Sequence, residues 1–222
     1  MNDDVAVVIP VFNEDQVLQG VLSDVLATFS HVICVDDGST DKSSDVIRST
    51  NAILVSHPMN LGQGAALQTG IDAALISNRI KYVVTFDSDG QHSVADALAM
   101  VSKIRQGEVE VVFGSRFLDE RSNVGTLKKV VLKLAVLYTN ALSGIKLTDA
   151  HNGLRVFSRH VAMHIELTHN GMAHATEIVN QISRGGFSFT EMPVHIEYTE
   201  YSKAKGQSLW NSVNILFDLI FR

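Results

Sequence analysis

Three short polar motifs constrain what this chain can fold into: Asp36-Asp37-Gly38-Ser39-Thr40-Asp41, Asn60-Leu61-Gly62-Gln63-Gly64 and Asp87-Ser88-Asp89-Gly90-Gln91-His92. The first and third each close an apolar, β-branched run, residues 31–35 and 81–86. In a parallel sheet that location is the carboxyl edge of a strand, where open α/β folds hold their ligands. Acids gathered at a nucleotide-sized cleft cannot hold a diphosphate directly. They need a divalent cation between, so the pattern points to a metal–nucleotide site.

The rest of the chain is consistent with such a sheet. Residues 5–11 read as a strand ending at Phe12-Asn13-Glu14, with a helical pattern over 15–29. After the strand at 31–35, Ser39, Thr40 and Asp41 offer oxygens to cap a helix through about residue 49. A short strand at 52–56, a helix at 62–77, a strand at 81–86, a helix at 93–106 and a strand at 109–113 ending on Gly114-Ser115-Arg116 follow. This alternation predicts a mostly parallel sheet covered by helices on both faces. Past residue 116 it fades: 127–142 looks helical, 149–155 a polar loop, 173–183 helical, 187–198 extended and 208–222 helical. The 222 residues suit one α/β domain, read here as 1–207 with an amphipathic helix at 208–222.

Bulk properties exclude some partners. A formal charge of −6 argues against nucleic-acid backbone. The single cysteine, Cys34, has no mate and lies in an apolar run, so it is expected as a buried core thiol. The start Met-Asn-Asp-Asp lacks the basic and apolar parts of a secretion signal, and no uncharged apolar stretch reaches spanning length. The expectation is a cytoplasmic protein that does not cross a membrane by itself.

Residues two apart in an extended segment point the same way, so Asp87 and Asp89 can present two carboxylates to one hard cation such as Mg2+ or Mn2+, with Gln91 adding a neutral oxygen. The plain alternative is a surface turn. Asp36 and Asp37 read either as a helix cap or as carboxylates for ribose hydroxyls or a base edge. Gly62, Gly64 and Gly70 allow close backbone approach at a helix start, as a turn also would. Arg116 and Arg155 suit phosphate, whose oxygens match the guanidinium donors; as isolated residues they read as solvated charge. Asp149 and Glu177 are candidate acids for base or orienting work. Most of the nine histidines read as incidental, and no His/Cys spacing fits zinc.

Taken in order, Ile9-Pro10-Val11-Phe12-Asn13-Glu14, the three motifs above, Gly114-Ser115-Arg116 and Asp149-Ala150-His151-Asn152-Gly153-Leu154-Arg155 strongly resemble family 2 glycosyltransferases. The likeness runs from residue 5 to about 208 and is nearest to the branch of dolichyl-phosphate mannosyltransferases and polyprenyl-phosphate sugar transferases. It implies a GT-A fold, a nucleoside-diphosphate sugar as donor, a divalent metal and inversion at the anomeric carbon. By that resemblance Pro10, Phe12, Glu14 and Asp37 line the nucleoside pocket, with Asp36, Gly38, Asn60, Gly64 and Ser88 completing the nucleotide-sugar site. Asp87 sits near the diphosphate or sugar, Asp89 and Gln91 hold the metal, Arg116 faces the acceptor, and Asp149 and Arg155 belong to the acceptor-side loop. Two positions depart from the family pattern: Gln63 stands where a lysine is frequent, and Lys203-Ala204-Lys205-Gly206-Gln207-Ser208-Leu209 replaces an arginine-led, lysine-ended version.

The resemblance implies a single in-line displacement onto a polyprenyl phosphate or a glycan. A lipid phosphate is already anionic and needs no base; Arg116, Arg155 and Lys203 or Lys205 would position it. A sugar hydroxyl needs a base, with Asp149 first and Glu177 second. Leu209, Trp210, Val213, Leu216, Phe217, Ile220 and Phe221 gather on one helical face, and 127–142 sets Lys128, Lys129 and Lys133 beside an apolar surface. Both suit an interfacial helix on the inner face of a membrane or on a small membrane protein, and equally an ordinary helix packed on its own core. A homo-oligomer is a further expectation. The rivals are a soluble glycosyltransferase acting on a saccharide hydroxyl, a sugar nucleotidyltransferase, which the loop Val11-Phe12-Asn13-Glu14 disfavours, and an inactive binding protein, which the intact acid pair disfavours.

Overall fold

The computed structural model describes residues 2–119, 126–171 and 173–197, with the backbone alone at 126–128. Its centre is a seven-stranded sheet of β1 (Val5–Val11), β2 (His31–Asp36), β3 (Ile53–Ser56), β4 (Tyr82–Thr85), β5 (Val111–Ser115), β6 (Arg155–Ser158) and β7 (Phe189–Pro193), in the order β3-β2-β1-β4-β6-β5-β7. All neighbours pair parallel except β6, which runs antiparallel to both β4 and β5. The chain lays β2 and β3 on one side of β1, then crosses back to place β4 on the other. The strand order therefore reverses between β1 and β4, which opens a crevice at their carboxyl ends.

Period-two alternation assigns the two faces of the sheet. Val5, Val7, Ile9 and Val11 of β1 face α1 (Leu18–Thr28), α2 (Ser43–Arg48) and α4 (Val94–Ile104) through Leu22, Ile47 and Met100. Ala6 and Val8 face the other way, toward α3 (Gln63–Leu75), α5 (Thr126–Ser143), α6 (Arg159–Ala162) and α7 (His174–Arg184) through Ile71, Val136, Val161 and Ile178. Gly70 is where α3 meets β1: a Cβ there would collide with Val8. Cys34 is buried, and burial pushes its thiol up to about 12, as expected of a core residue.

The structure departs from the sequence pattern in three places. The helix expected over 15–29 starts only at Leu18, because 12–15 form a turn in which Asn13 takes a φ of 55°. Of the oxygens expected to cap α2, Asp41 Oδ1 does accept the N–H of Ser43, the first residue of the helix, at 2.9 Å, while its Oδ2 and the Ser39 hydroxyl serve that turn. Ser39 Oγ accepts from Asn13 N (3.0 Å), Ser43 Oγ from Glu14 N (2.8 Å) and Asp41 Oδ2 from Asp15 N (3.1 Å), while Asn13 Oδ1 accepts from Thr40 N (2.8 Å). Finally, the expected loop at 149–155 runs directly into β6, a four-residue strand in the interior of the sheet. The expected helix at 208–222, with Lys203 and Lys205, lies outside the described residues.

Candidate active site

The crevice between β1 and β4 is a cavity of about 510 Å3. Pro10, Val11, Phe12 and Glu14 enter it from the end of β1, and Asp87, Ser88 and Asp89 from the end of β4. Asp37, Asn60, Gly62, Gln63 and Ala66 form one wall; His151, Gly153, Arg155, Gly171, His174 and Ala175 form the other.

The first wall is built on Asp37. Its Oδ1 accepts the Leu61 N–H at 2.8 Å and its Oδ2 the Gly62 N–H at 2.8 Å. Oδ1 also lies 2.7 Å from His57 Nδ1, whose other nitrogen is 2.9 Å from Thr69 Oγ1 on α3. The carboxylate is thus a clamp that folds 60–62 over the cavity. Gly62 itself has a φ of 102°, and a side chain there would strike the carbonyl of Asn170. Asp36, the adjacent acid, turns away: it accepts the Ser39 N–H at 3.0 Å and is bonded to the Ser44 hydroxyl.

The floor holds the acid pair. Asp87 Oδ1 accepts from Gln63 Nε2 at 3.2 Å, and Oδ2 is 2.8 Å from His92 Nε2. Burial alone would raise the Asp87 pKa, but His92, Arg155 and His174 outweigh it and hold the carboxyl below its usual range. Asp89 goes the other way. Burial and then the charge of Asp87 push it up to about 6. Two crowded carboxylates of which one resists ionisation form an oxygen donor set that a hard divalent cation relieves. Among the described residues no group of three or more His, Cys, Asp or Glu is arranged to hold a metal. An ion here would therefore draw its remaining ligands from substrate phosphate and water, as Mg2+ does with one or two carboxylates.

The second wall carries Arg155, 2% exposed, whose Nη2 donates to the carbonyl of Ala150 at 3.1 Å. Burial pulls its pKa down to about 10, and Asp87 and Asp149 oppose that. Gly153 backs the floor so closely that a Cβ would collide with the Asp87 carboxylate. Burial holds both His151 and His174 near 4, so both are uncharged at neutral pH.

Of the residues expected at a nucleotide-sugar site, Pro10, Phe12, Glu14, Asp37, Asn60, Asp87, Ser88, Asp89 and Arg155 line the cavity. Asp36, Gly38, Gly64, Gln91, Arg116 and Asp149 do not. Gly38 packs on the backbone of Met59 and Asn60, and Gly64 on the carbonyl of His169. Gln91 is tied through its backbone, donating to Asp89 Oδ1 at 3.0 Å and accepting from Glu197 N at 3.0 Å. Arg116 Nε donates to Asp149 Oδ2 at 2.6 Å, and Asp149, 1% exposed, also accepts the His151 N–H at 3.3 Å. The second candidate base, Glu177, accepts from Thr168 N, Thr168 Oγ1 and His169 N. Sequence reasoning missed the histidines: His57, His92, His151 and His174 all serve the site. His92 and His151 lie inside the motifs, which was the available signal; His57 meets Asp37 and Thr69, partners too distant in sequence to register, and the His174 ring bonds the nearby Gly171 carbonyl, so its place on the cavity wall depends on the fold.

A doubly wound sheet with a switch-point cavity floored by paired acids defines the class, GT-A glycosyltransferases. A profile of glycosyl transferase family 2 matches residues 6–165, and the chain belongs to that family and is a glycosyltransferase. An uncharacterized protein of Methanocaldococcus jannaschii is 32% identical over 225 residues, covering 99% of this chain and 92% of its own. The UDP-N-acetylglucosamine–dolichyl-phosphate N-acetylglucosaminyltransferase of Methanococcus voltae is 27% identical over 235 residues, 96% of this chain and 93% of that protein. In fold, the chain matches glucosyl-3-phosphoglycerate synthase from Mycobacterium tuberculosis, crystallised in complex with Mn2+, uridine diphosphate and phosphoglyceric acid. The TM-score is 0.70 at 17% identity, over 98% of this chain and 78% of that one.

Proposed function

We propose that this glycosyltransferase moves a sugar from a nucleoside-diphosphate donor onto a polyprenyl phosphate in one inverting displacement assisted by a divalent cation. The nucleoside lies against Pro10, Phe12 and the wall clamped by Asp37. Asp89, with Asp87 beside it, holds the cation, which when bound offsets charge on the departing diphosphate. Arg155 adds a fixed positive charge facing Asp87 across the floor.

One observation favours a phosphate acceptor over a saccharide hydroxyl. A hydroxyl must lose a proton, and both carboxylates nominated to take it are engaged: Asp149 by Arg116 and the His151 N–H, Glu177 by Thr168 and His169. A phosphate monoester arrives ionised and needs neither. Arg116, held by Asp149 outside the cavity lining, is the residue that the family resemblance nominates to meet it. The naming of the Methanococcus voltae relative as a dolichyl-phosphate transferase supports the same choice.

The test is a matrix of UDP- and GDP-sugars with Mn2+ or Mg2+, each offered a short-chain polyprenyl phosphate or an oligosaccharide, with products read by mass spectrometry. The expected product is a polyprenyl-phosphate sugar formed only with metal present. Transfer confined to the oligosaccharide would reject the acceptor assignment, and no transfer from any donor would reject the donor assignment.

A further inference from the structure

Four of the seven buried polar side-chain atoms that find no partner among the described residues fall within residues 151–155, the turn and the first residue of β6: both ring nitrogens of His151, Asn152 Nδ2 and Arg155 Nε. Orphaned buried polar groups are rare in folded proteins and call for a partner, and two of these residues, His151 and Arg155, line the cavity. The turn is not free to relax. Thr148 N and Asp149 N donate to Glu191 Oε1 at 2.8 and 3.1 Å, and Asn152 Oδ1 accepts the Leu154 N–H at 2.9 Å. The His151 ring is therefore held at the cavity wall by a braced backbone while its own two nitrogens remain unused.

The chemistry of the wall selects the ligand. His151 is uncharged, so it offers one N–H donor and one bare nitrogen acceptor. His174, lining the same cavity, donates Nδ1–H to the Gly171 carbonyl at 2.8 Å, which fixes its tautomer and leaves Nε2 an acceptor. Arg155 supplies donors only. A phosphate presents acceptors alone and gains nothing from a bare imidazole nitrogen. A sugar hydroxyl both gives and takes a hydrogen bond, and matches a wall that offers donors and acceptors together.

We propose that His151, with His174 beside it, reads hydroxyls of the transferred sugar, so that the 149–155 turn sets which sugar the enzyme accepts. This inference rests on the donor assignment above. The test is calorimetric titration, with Mn2+ present, of wild type, His151→Phe and His151→Gln with UDP and GDP and with UDP-glucose, UDP-N-acetylglucosamine and GDP-mannose. His151→Phe should bind the bare diphosphate within about twofold of wild type yet lose roughly tenfold for the preferred sugar nucleotide. His151→Gln, which keeps a donor and an acceptor, should recover most of that loss. Donor analogues lacking single hydroxyls complete the cycle: one deletion should cost wild type roughly tenfold and His151→Phe almost nothing. His151→Leu replaces the Phe variant if thermal melting shows the latter unfolded. Equal losses for diphosphate and sugar nucleotide, or no loss for either, would overturn the inference and leave the donor assignment standing. A wild type that binds no nucleotide would overturn both.

Discussion

Asp89 shows how a residue can serve function at a cost to stability. Its carboxyl is pushed up to about 6 by burial and by its neighbour Asp87, so its ionised form is disfavoured in the metal-free protein. Asp89→Asn removes that charge. We expect the variant to melt higher than wild type at pH 7.5 without metal, by roughly 1–2 kcal/mol, while Mn2+-dependent nucleotide binding and transfer fall at least about a hundredfold. The two histidines of the opposite wall act on stability through pH. Both titrate near 4 in the folded protein against 6.5 ordinarily, so between those values the unfolded chain binds more protons. Stability is then complete above pH 6.5 and is lost as the pH falls toward 4, by up to about 3 kcal/mol per histidine. Asp89 contributes with the opposite sign, favouring the folded state as the pH falls from 6 toward 3.8. His151→Gln should flatten the dependence of melting temperature on pH between 6.5 and 4; an unchanged slope would contradict the burial of its uncharged ring.

Among the elements, the loops after β1, β2 and β4 are legible in sequence to different depths. Strands β1, β2 and β4 stand out because each is an unbroken β-branched run closed by a charged motif, and a parallel strand buried on both faces must read that way. The switch point follows from them, so the acid pair is placed correctly. Strand β6 is not legible, because its four residues begin on Arg155 and its pairing partners β4 and β5 lie far off in sequence. Nor do local rules show that the polar residues at 39–43 brace another loop, since the same oxygens would cap a helix equally well. Asp37 was legible as a site residue, but its clamping role depends on 61–62 folding back to it. Asp37→Asn keeps one acceptor oxygen and sets an NH2 group against backbone donors. It should raise hydrogen exchange across 59–64 and weaken nucleotide binding by roughly tenfold or more. Protection unchanged in that segment would show that the clamp is not what orders it.

Over the whole molecule, the described residues contain no helix long and apolar enough to cross a membrane. Helix α5 nevertheless leaves Val130, Leu134 and Leu137 more than half exposed, at 51%, 52% and 66%, with Lys129 and Lys133 beside them. An apolar row flanked by lysines suits the surface of an anionic bilayer, where a polyprenyl phosphate would reside. The double substitution Leu134→Ser, Leu137→Ser should reduce co-sedimentation with anionic vesicles several-fold and slow transfer to long-chain acceptors. Turnover with a short, water-soluble acceptor should be spared, and equal loss on both would speak against a lipid-facing role.

The lacing of Asn13, Glu14 and Asp15 to Ser39, Ser43 and Asp41 has a consequence for how such enzymes diversify. It ties the loop after β1 to the loop after β2, and none of those bonds involves a residue of 116–155. Substrate choice in that segment can then drift, or be grafted from a relative, without retuning how the nucleotide is gripped. A chimaera exchanging residues 116–155 should inherit its acceptor from one parent and its base preference from the other.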